Sequence, residues 1–144
     1  MILIDANLLL YAYDSASEQH EAAAEWLSTV FSSADLVGFA WVTILAFLRI
    51  GTNPRMRIRP FSSAEAVTIV QQWLDQPNAR IVTPSERHWT ILKDLIPKGQ
   101  VRAALMTDAH LAALAIEHGA VLYTNDRDFT RFPGLKWSNP LDAA

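Results

Sequence analysis

Short apolar runs alternate with helix-length segments along this chain, and that alternation restricts the fold more than any other feature. Met1 to Ile4 reads as a buried strand that turns at Asp5-Ala6-Asn7. Ser17 is placed to cap a helix running to about Ser33, with Glu18 and Glu21 in its first turn. Leu36 to Ala40 reads as a second strand. Trp41 to Ile50 is apolar nearly all round, as a buried helix would be, and Gly51 with Asn53-Pro54 stops it. Ser62 and Glu65 form a capping box for a helix reaching about Asp75. Ala79 to Thr83 has strand character, and Ser85 opens a helix that ends near Pro97-Lys98-Gly99. A last long helix spans roughly Met106 to His118, with Gly119 in the left-handed position. Val121 to Thr124 is a buried strand, and Leu135 to Trp137 a short final one. Strands separated by helices of ten or more residues predict a parallel sheet covered on both faces. In such sheets the functional site lies beyond the C-terminal strand ends, where neighbouring connections diverge.

Those strand ends carry carboxylates. Asp5 follows Ile2-Leu3-Ile4 directly, Asp126 comes just after Val121 to Thr124, and Asp108 opens the helix before that strand. Carboxylates brought together raise one another's pKa unless a cation neutralises them. Hard oxygen donors with open water positions suit Mg²⁺, or Mn²⁺, and such an ion activates water against a phosphodiester. Taken singly, each aspartate has a plainer reading. Asp5 and Asp108 fit helix caps, and Asp126 fits a turn residue within Asn125-Asp126-Arg127-Asp128. It is the set, at the ends of one sheet, that points to hydrolysis of a phosphate ester.

The same residues resemble a known family. Ile2-Leu3-Ile4-Asp5-Ala6-Asn7 is similar to the opening motif of PIN domains. Asp108-Ala109-His110-Leu111-Ala112-Ala113-Leu114-Ala115 resembles that family's third motif, and Thr124-Asn125-Asp126-Arg127-Asp128-Phe129 its fourth. The order and spacing hold from Met1 to about Leu141, and the size resembles VapC-type toxins of bacterial toxin–antitoxin pairs. The resemblance implies an α/β fold, a three-layer α/β/α sandwich around a central parallel sheet. It also implies Mg²⁺-dependent cleavage of RNA and a cognate antitoxin protein. Asp5 and Asp108 would be the principal metal ligands and Asp126 would complete the pocket, with Asn7 and Thr124 as hydrogen-bonding support. Asp128 joins them as a catalytic candidate, because either it or Asp126 would deprotonate the attacking water.

One position departs from the pattern. The family carries a Glu on the helix after the second strand, in a sequence like Leu-Ala-Glu-Leu-Arg. Here the stretch is Leu45-Ala46-Phe47-Leu48-Arg49, so Phe47 stands at the acidic position. Phenylalanine binds no metal. The resemblance then implies either a subgroup working with three aspartates plus Asp128, or a weakened site that only binds RNA or a protein partner.

Other classes fit less well. A haloacid-dehalogenase phosphatase wants a second aspartate two residues after the first, where Asn7 stands. A phosphoryl-receiver domain wants an aspartate near mid-chain, and none lies between Asp35 and Asp75. There is no cysteine, which excludes disulfides and zinc–thiolate sites, and no Gly-rich phosphate loop or serine-hydrolase elbow. The formal net charge of −3 counts against nucleic acid, yet most of the 12 basic residues are Arg, which pairs bidentately with phosphate. Arg49, Arg55, Arg57 and Arg59 could line an RNA path, with Arg127 and Arg131 on its far rim; a solvated charged loop is the competing reading.

The length of 144 residues suits one domain, 1–144. No apolar run approaches the ~20 residues of a membrane span, and the interruption at Asp5 is unlike a signal peptide, so a cytoplasmic location is expected. The five tryptophans read as core or as a dimer face, and the four histidines show no ligand spacing. Apolar helices of this kind predict a homodimer.

Overall fold

The computed structural model describes residues 1–142, so the last two residues of the expected 1–144 domain lie outside the described residues. Five parallel strands form one sheet in the order β3-β2-β1-β4-β5. The strands are β1 (Ile2–Ile4), β2 (Val37–Ala40), β3 (Ala79–Val82), β4 (Val121–Tyr123) and β5 (Trp137–Ser138). The helices are α1 (Ala6–Ala12), α2 (His20–Phe31), α3 (Trp41–Gly51), α4 (Ser63–Leu74), α5 (His88–Lys98) and α6 (Leu105–Glu117), and a 3-10 turn covers Arg127–Arg131.

Period-two alternation makes the three layers. Ile2, Ile4, Val37 and Phe39 face one side of the sheet, where they pack with residues of α1 to α4 such as Leu8, Leu27, Phe47 and Trp73. Leu3, Ala40, Val82 and Leu122 face the other side, against α5 and α6 through Leu95, Leu111 and Leu114. Both faces of β1 are buried, which is why its sequence is continuously apolar. The first layer is held by an aromatic group. Trp73 stacks on Phe39 at 5.5 Å and meets Phe47 edge-on at 4.6 Å, while its indole N–H donates to the Tyr13 hydroxyl at 2.9 Å. Aromatic pairs of this geometry add about 0.5–1.5 kcal/mol each beyond their burial.

Several local expectations hold. The Ser62–Glu65 capping box is formed in both directions. Gly119 has φ +62, the left-handed conformation expected after α6. Other boundaries move. Ser17 does not cap α2; its hydroxyl accepts from Gln19 N–H in a turn, and the helix starts at His20. The expected turn at Asp5-Ala6-Asn7 is instead the entry to α1, which begins at Ala6. α5 starts at His88 rather than Ser85 but ends at Lys98 as expected, with Pro97 inside its last turn. α3 is not buried all round: Trp41 and Leu45 are 53% and 60% exposed, a face with no cover among the described residues.

The chain steps from β1 to β2 to β3 in one direction and then crosses to β4 on the opposite side of β1. The switch point therefore lies between the C-terminal ends of β1 and β4. The register Ile4↔Tyr123 brings the next residues, Asp5 and Thr124, side by side.

Candidate active site

Asp5 leaves β1 in an extended conformation (φ −80, ψ 151) and caps α1, its Oδ1 accepting from Ala6 N–H at 2.8 Å. Its other oxygen accepts from the Thr124 hydroxyl at 2.8 Å. The cap reading and the site reading of Asp5 are thus compatible, since each carboxylate oxygen has a second lone pair to offer. Thr124 is fully buried and its oxygen also accepts from Asp126 N–H at 3.0 Å and from Asn7 Nδ2 at 3.3 Å. One donor and two acceptor sites are all a hydroxyl has, so Thr124 is saturated. Asn7 completes the joint by accepting from Asn125 N–H at 3.3 Å. Asp126 turns its Oδ1 to Asp128 N–H at 2.9 Å and caps the 3-10 turn.

Asp108 does not sit at a helix cap as its sequence suggested. The cap position of α6 is Ala104, and Asp108 falls one turn in, its side chain drawing no hydrogen bond from the described residues. It shares a cleft of about 150 Å3 with Asp5, lined further by Val42, Thr43 and Ala46 of α3 and by Thr107 and Leu111 of α6. Burial, then the charges of Asp5, Asp126 and Asp128, push the Asp108 carboxyl up from 3.8 to about 6, partly opposed by Arg131. Asp5 is also raised, first by burial and further by the Asp126 charge, against the hydrogen bonds from Thr124 and Ala6. Four carboxylates therefore feel one another, with one guanidinium facing them. Among the described residues no three acidic or histidine groups stand close enough to enclose an ion without side-chain rotation. Among the described residues neither the Asp108 nor the Asp128 side chain makes a hydrogen bond.

Phe47 does not face this cleft. It is fully buried, edge-on to Trp73 and 5.9 Å from the Tyr13 ring, and is not among the residues that line the cleft. The α3 side chains that line the cleft are Val42, Thr43 and Ala46, so α3 offers it no acid at any position. Thr43, buried and donating to the carbonyl of Ile4 at 3.3 Å, was missed by sequence reading, although it is the lone hydroxyl in an apolar helix.

The arginine series divides. Arg49, Arg55, Arg59 and Arg127 are exposed. Arg57 is only 9% exposed; its Nη2 donates to the carbonyl of Tyr13 at 2.9 Å and its Cζ lies 4.4 Å from the Phe61 ring centroid. An open RNA path through Arg57 is therefore corrected to a buried strut. Polar and apolar residues alternate strictly along Arg55-Met56-Arg57-Ile58-Arg59, yet the expected sides are exchanged, with Met56 58% and Ile58 84% exposed around the buried arginine. The histidines also group in a way that their spacing hid. His88 bridges the buried Glu117 carboxylate at 3.1 Å and His110 at 2.9 Å, tying α5 to α6.

The sequence matches the PIN domain family over residues 2–135. This chain is a PIN-domain protein. The ribonuclease VapC37 of Mycobacterium tuberculosis is 45% identical to this PIN domain over 140 residues, 97% of each chain. Among solved structures, VapBC-1 from nontypeable Haemophilus influenzae superposes with a TM-score of 0.71 at 16% identity, over 99% of this chain and 100% of that one. A chain in a toxin–antitoxin complex from Klebsiella pneumoniae does so with a TM-score of 0.64 at 17% identity, over 97% and 98%. The PIN domain here is thus of the VapC type, and its three-layer parallel α/β fold is that of the family. Among the described residues no helix is long and apolar enough to cross a membrane.

Proposed function

We propose that this chain is a Mg²⁺-dependent endoribonuclease, the toxin of a toxin–antitoxin pair, with Asp5, Asp108 and Asp126 as metal ligands. The observation that carries the reading is the gathering of those carboxylates at the switch point, where burial first and then the neighbouring charges raise Asp108 to about 6. A folded chain keeps such an arrangement at a cost, and a divalent cation removes the cost. The donor set fits the group: all hard oxygens, with Asp108 unbonded and Asp5 holding spare lone pairs. When bound there, Mg²⁺ would supply electrostatic activation of water and stabilise charge on the phosphodiester.

The chain's own residues do the rest. Thr124 and Asn7 fix Asp5 and the Asp126 backbone relative to each other. Asp126 has one oxygen committed to Asp128 N–H, whereas the exposed Asp128 carboxylate is available to take the proton of the attacking water. Water oxygen bonds to phosphorus as the P–O bond to the leaving ribose breaks; the water's proton passes to Asp128 and the leaving oxygen takes a proton from solvent. The exposed Arg127, with Arg49 and Arg55, would hold flanking phosphates.

Two partners belong to this reading. An antitoxin is suggested by the ribonuclease relative and by the toxin–antitoxin complex of the same fold. A second copy is suggested by the exposed Trp41 and Leu45 on α3. The test is cleavage of structured RNA by the purified chain with Mg²⁺, with EDTA, and beside an Asp5→Asn/Asp108→Asn variant. Cleavage that needs both metal and aspartates is expected. A folded, partner-free chain with no metal-dependent cleavage would leave a binding-only PIN domain.

A further inference from the structure

A second cleft, of about 380 Å3, lies between the α1–α2 connection and the α3–α4 connection. None of the site aspartates lines it; its walls are Tyr13, Asp14, Arg57, Ile58, Arg59 and Phe61 with Ser15 and Ala16. Arg57 forms its base. Of the five N–H donors of that guanidinium, one bond is formed, to the carbonyl of Tyr13. Nε is buried and has no partner, and Nη1 is bonded to nothing while not being sealed off as Nε is. No carboxylate lies within salt-bridge distance of Arg57 among the described residues. The one acid in the wall, Asp14, is turned onto its own backbone, accepting from Ala16 N–H at 3.1 Å. A cation withdrawn from water and left short of acceptors costs free energy that an entering anion would return.

We propose that this cleft binds a carboxylate carried by a peptide segment of a partner protein, with apolar side chains on either side of the acid. The uncommitted Nη1 of Arg57 and the exposed Arg59 at the rim suit the two oxygens of a carboxylate. Met56 and Ile58, exposed beside them, suit the flanking apolar side chains. RNA fits less well. The Phe61 ring is covered by the guanidinium and the Tyr13 ring is packed on Phe47 and Trp73, so neither is presented for base stacking, and two arginines against Asp14 make no phosphate track. The inference is independent of the nuclease reading, because binding is read without metal and without turnover.

The experiment is an NMR titration of the ¹⁵N-labelled full chain in metal-free buffer. The probes are the peptide acetyl-Leu-Ile-Glu-Leu-Leu-amide, its Gln analogue, inorganic phosphate and a six-nucleotide single-stranded RNA. The Glu peptide should move the Arg57 Nε–Hε resonance and the Met56 to Ile58 amides, and bind at least about tenfold tighter than the Gln peptide. In Arg57→Lys, checked for folding by its melting curve, that discrimination should disappear. Equal binding of both peptides would reduce the surface to a merely apolar one and overturn the proposal. So would an unmoved Arg57 resonance, or displacement of the peptide by RNA or phosphate.

Discussion

The Thr124 hydroxyl donates to Oδ2 of Asp5 at 2.8 Å, a bond between residues 119 positions apart in the chain. The register of β1 against β4 puts them there, and Thr124 spends its remaining capacity on Asp126 N–H and Asn7. Thr124→Val would leave three polar groups short of a partner. We expect a loss of about 1–3 kcal/mol in urea unfolding, and cleavage reduced along with it. Thr124→Ser should retain both. A valine variant as stable as the parent would show that the hydroxyl holds nothing.

Asp108 should trade stability for function. Its carboxylate has no hydrogen bond to lose and three like charges to escape. Asp108→Asn is therefore expected to raise the metal-free melting temperature at pH 7.5 by about 2–4 °C while lowering RNA cleavage at least about a hundredfold. Asp5→Ala differs, because it also removes the α1 cap and should cost about 0.5–2 kcal/mol. Melting curves of the two variants side by side separate these outcomes.

The pH dependence follows from the same group. The folded chain binds the Asp108 proton more tightly than the unfolded chain, with a folded value of about 6 against an ordinary 3.8. Between those values the native state holds more protons, so metal-free stability should be greatest below about 3.8 as far as this group is concerned, and decline as pH rises through about 6. Mg²⁺ competes with that proton. Added Mg²⁺ should raise the melting temperature at pH 7.5 and do little at pH 5; an equal shift at both would remove Asp108 from the ligand set.

Restoring a glutamate at position 47 should fail. Phe47→Glu would bury a carboxylate against Trp73 and Tyr13, at a cost of about 3–5 kcal/mol, and supply nothing to the metal. Ala46→Glu, from the half-buried residue that does line the cleft, should fold and tighten Mg²⁺ binding as measured by calorimetry. The reverse pattern would mean that α3 is rotated about its axis relative to the structure.

Arg57→Met should destabilise by about 1–3 kcal/mol through the lost bond to Tyr13 and the lost Phe61 contact. Arg55→Met, fully in solvent, should stay within about 0.5 kcal/mol. Chemical denaturation of both distinguishes a strut from a surface charge.

What could be read from the sequence was what local chemistry decides. Ser62 with Glu65 and Gly119 announce helix ends without outside help, and the apolar runs of β1, β2 and β4 can only be buried. Asp5 and Asp126 were visible because they come just after strands, and Asp108 because it heads the apolar part of α6. Arg57 was misplaced because its orientation depends on a partner far away, the carbonyl of Tyr13, and the packing of Phe47 on Trp73 was out of reach for the same reason. Strict alternation around Arg57 suggested a charged face, yet the arginine went inside because a backbone acceptor and an aromatic ring were waiting there. The His88–Glu117 bond was hidden for the same reason, since 29 residues separate its ends.

The pairing of Ile4 with Tyr123 also limits how this chain can vary. Successive residues of a strand point to opposite faces, so a one-residue insertion or deletion within β1 or β4 would turn Asp5 or Thr124 away from its partner. Point substitutions along those two strands can be absorbed by repacking. A change of length cannot, so variation in length should fall in the connections on the far side of the helices, leaving the step from β1 into Asp5 and from β4 into Asp126 at constant count.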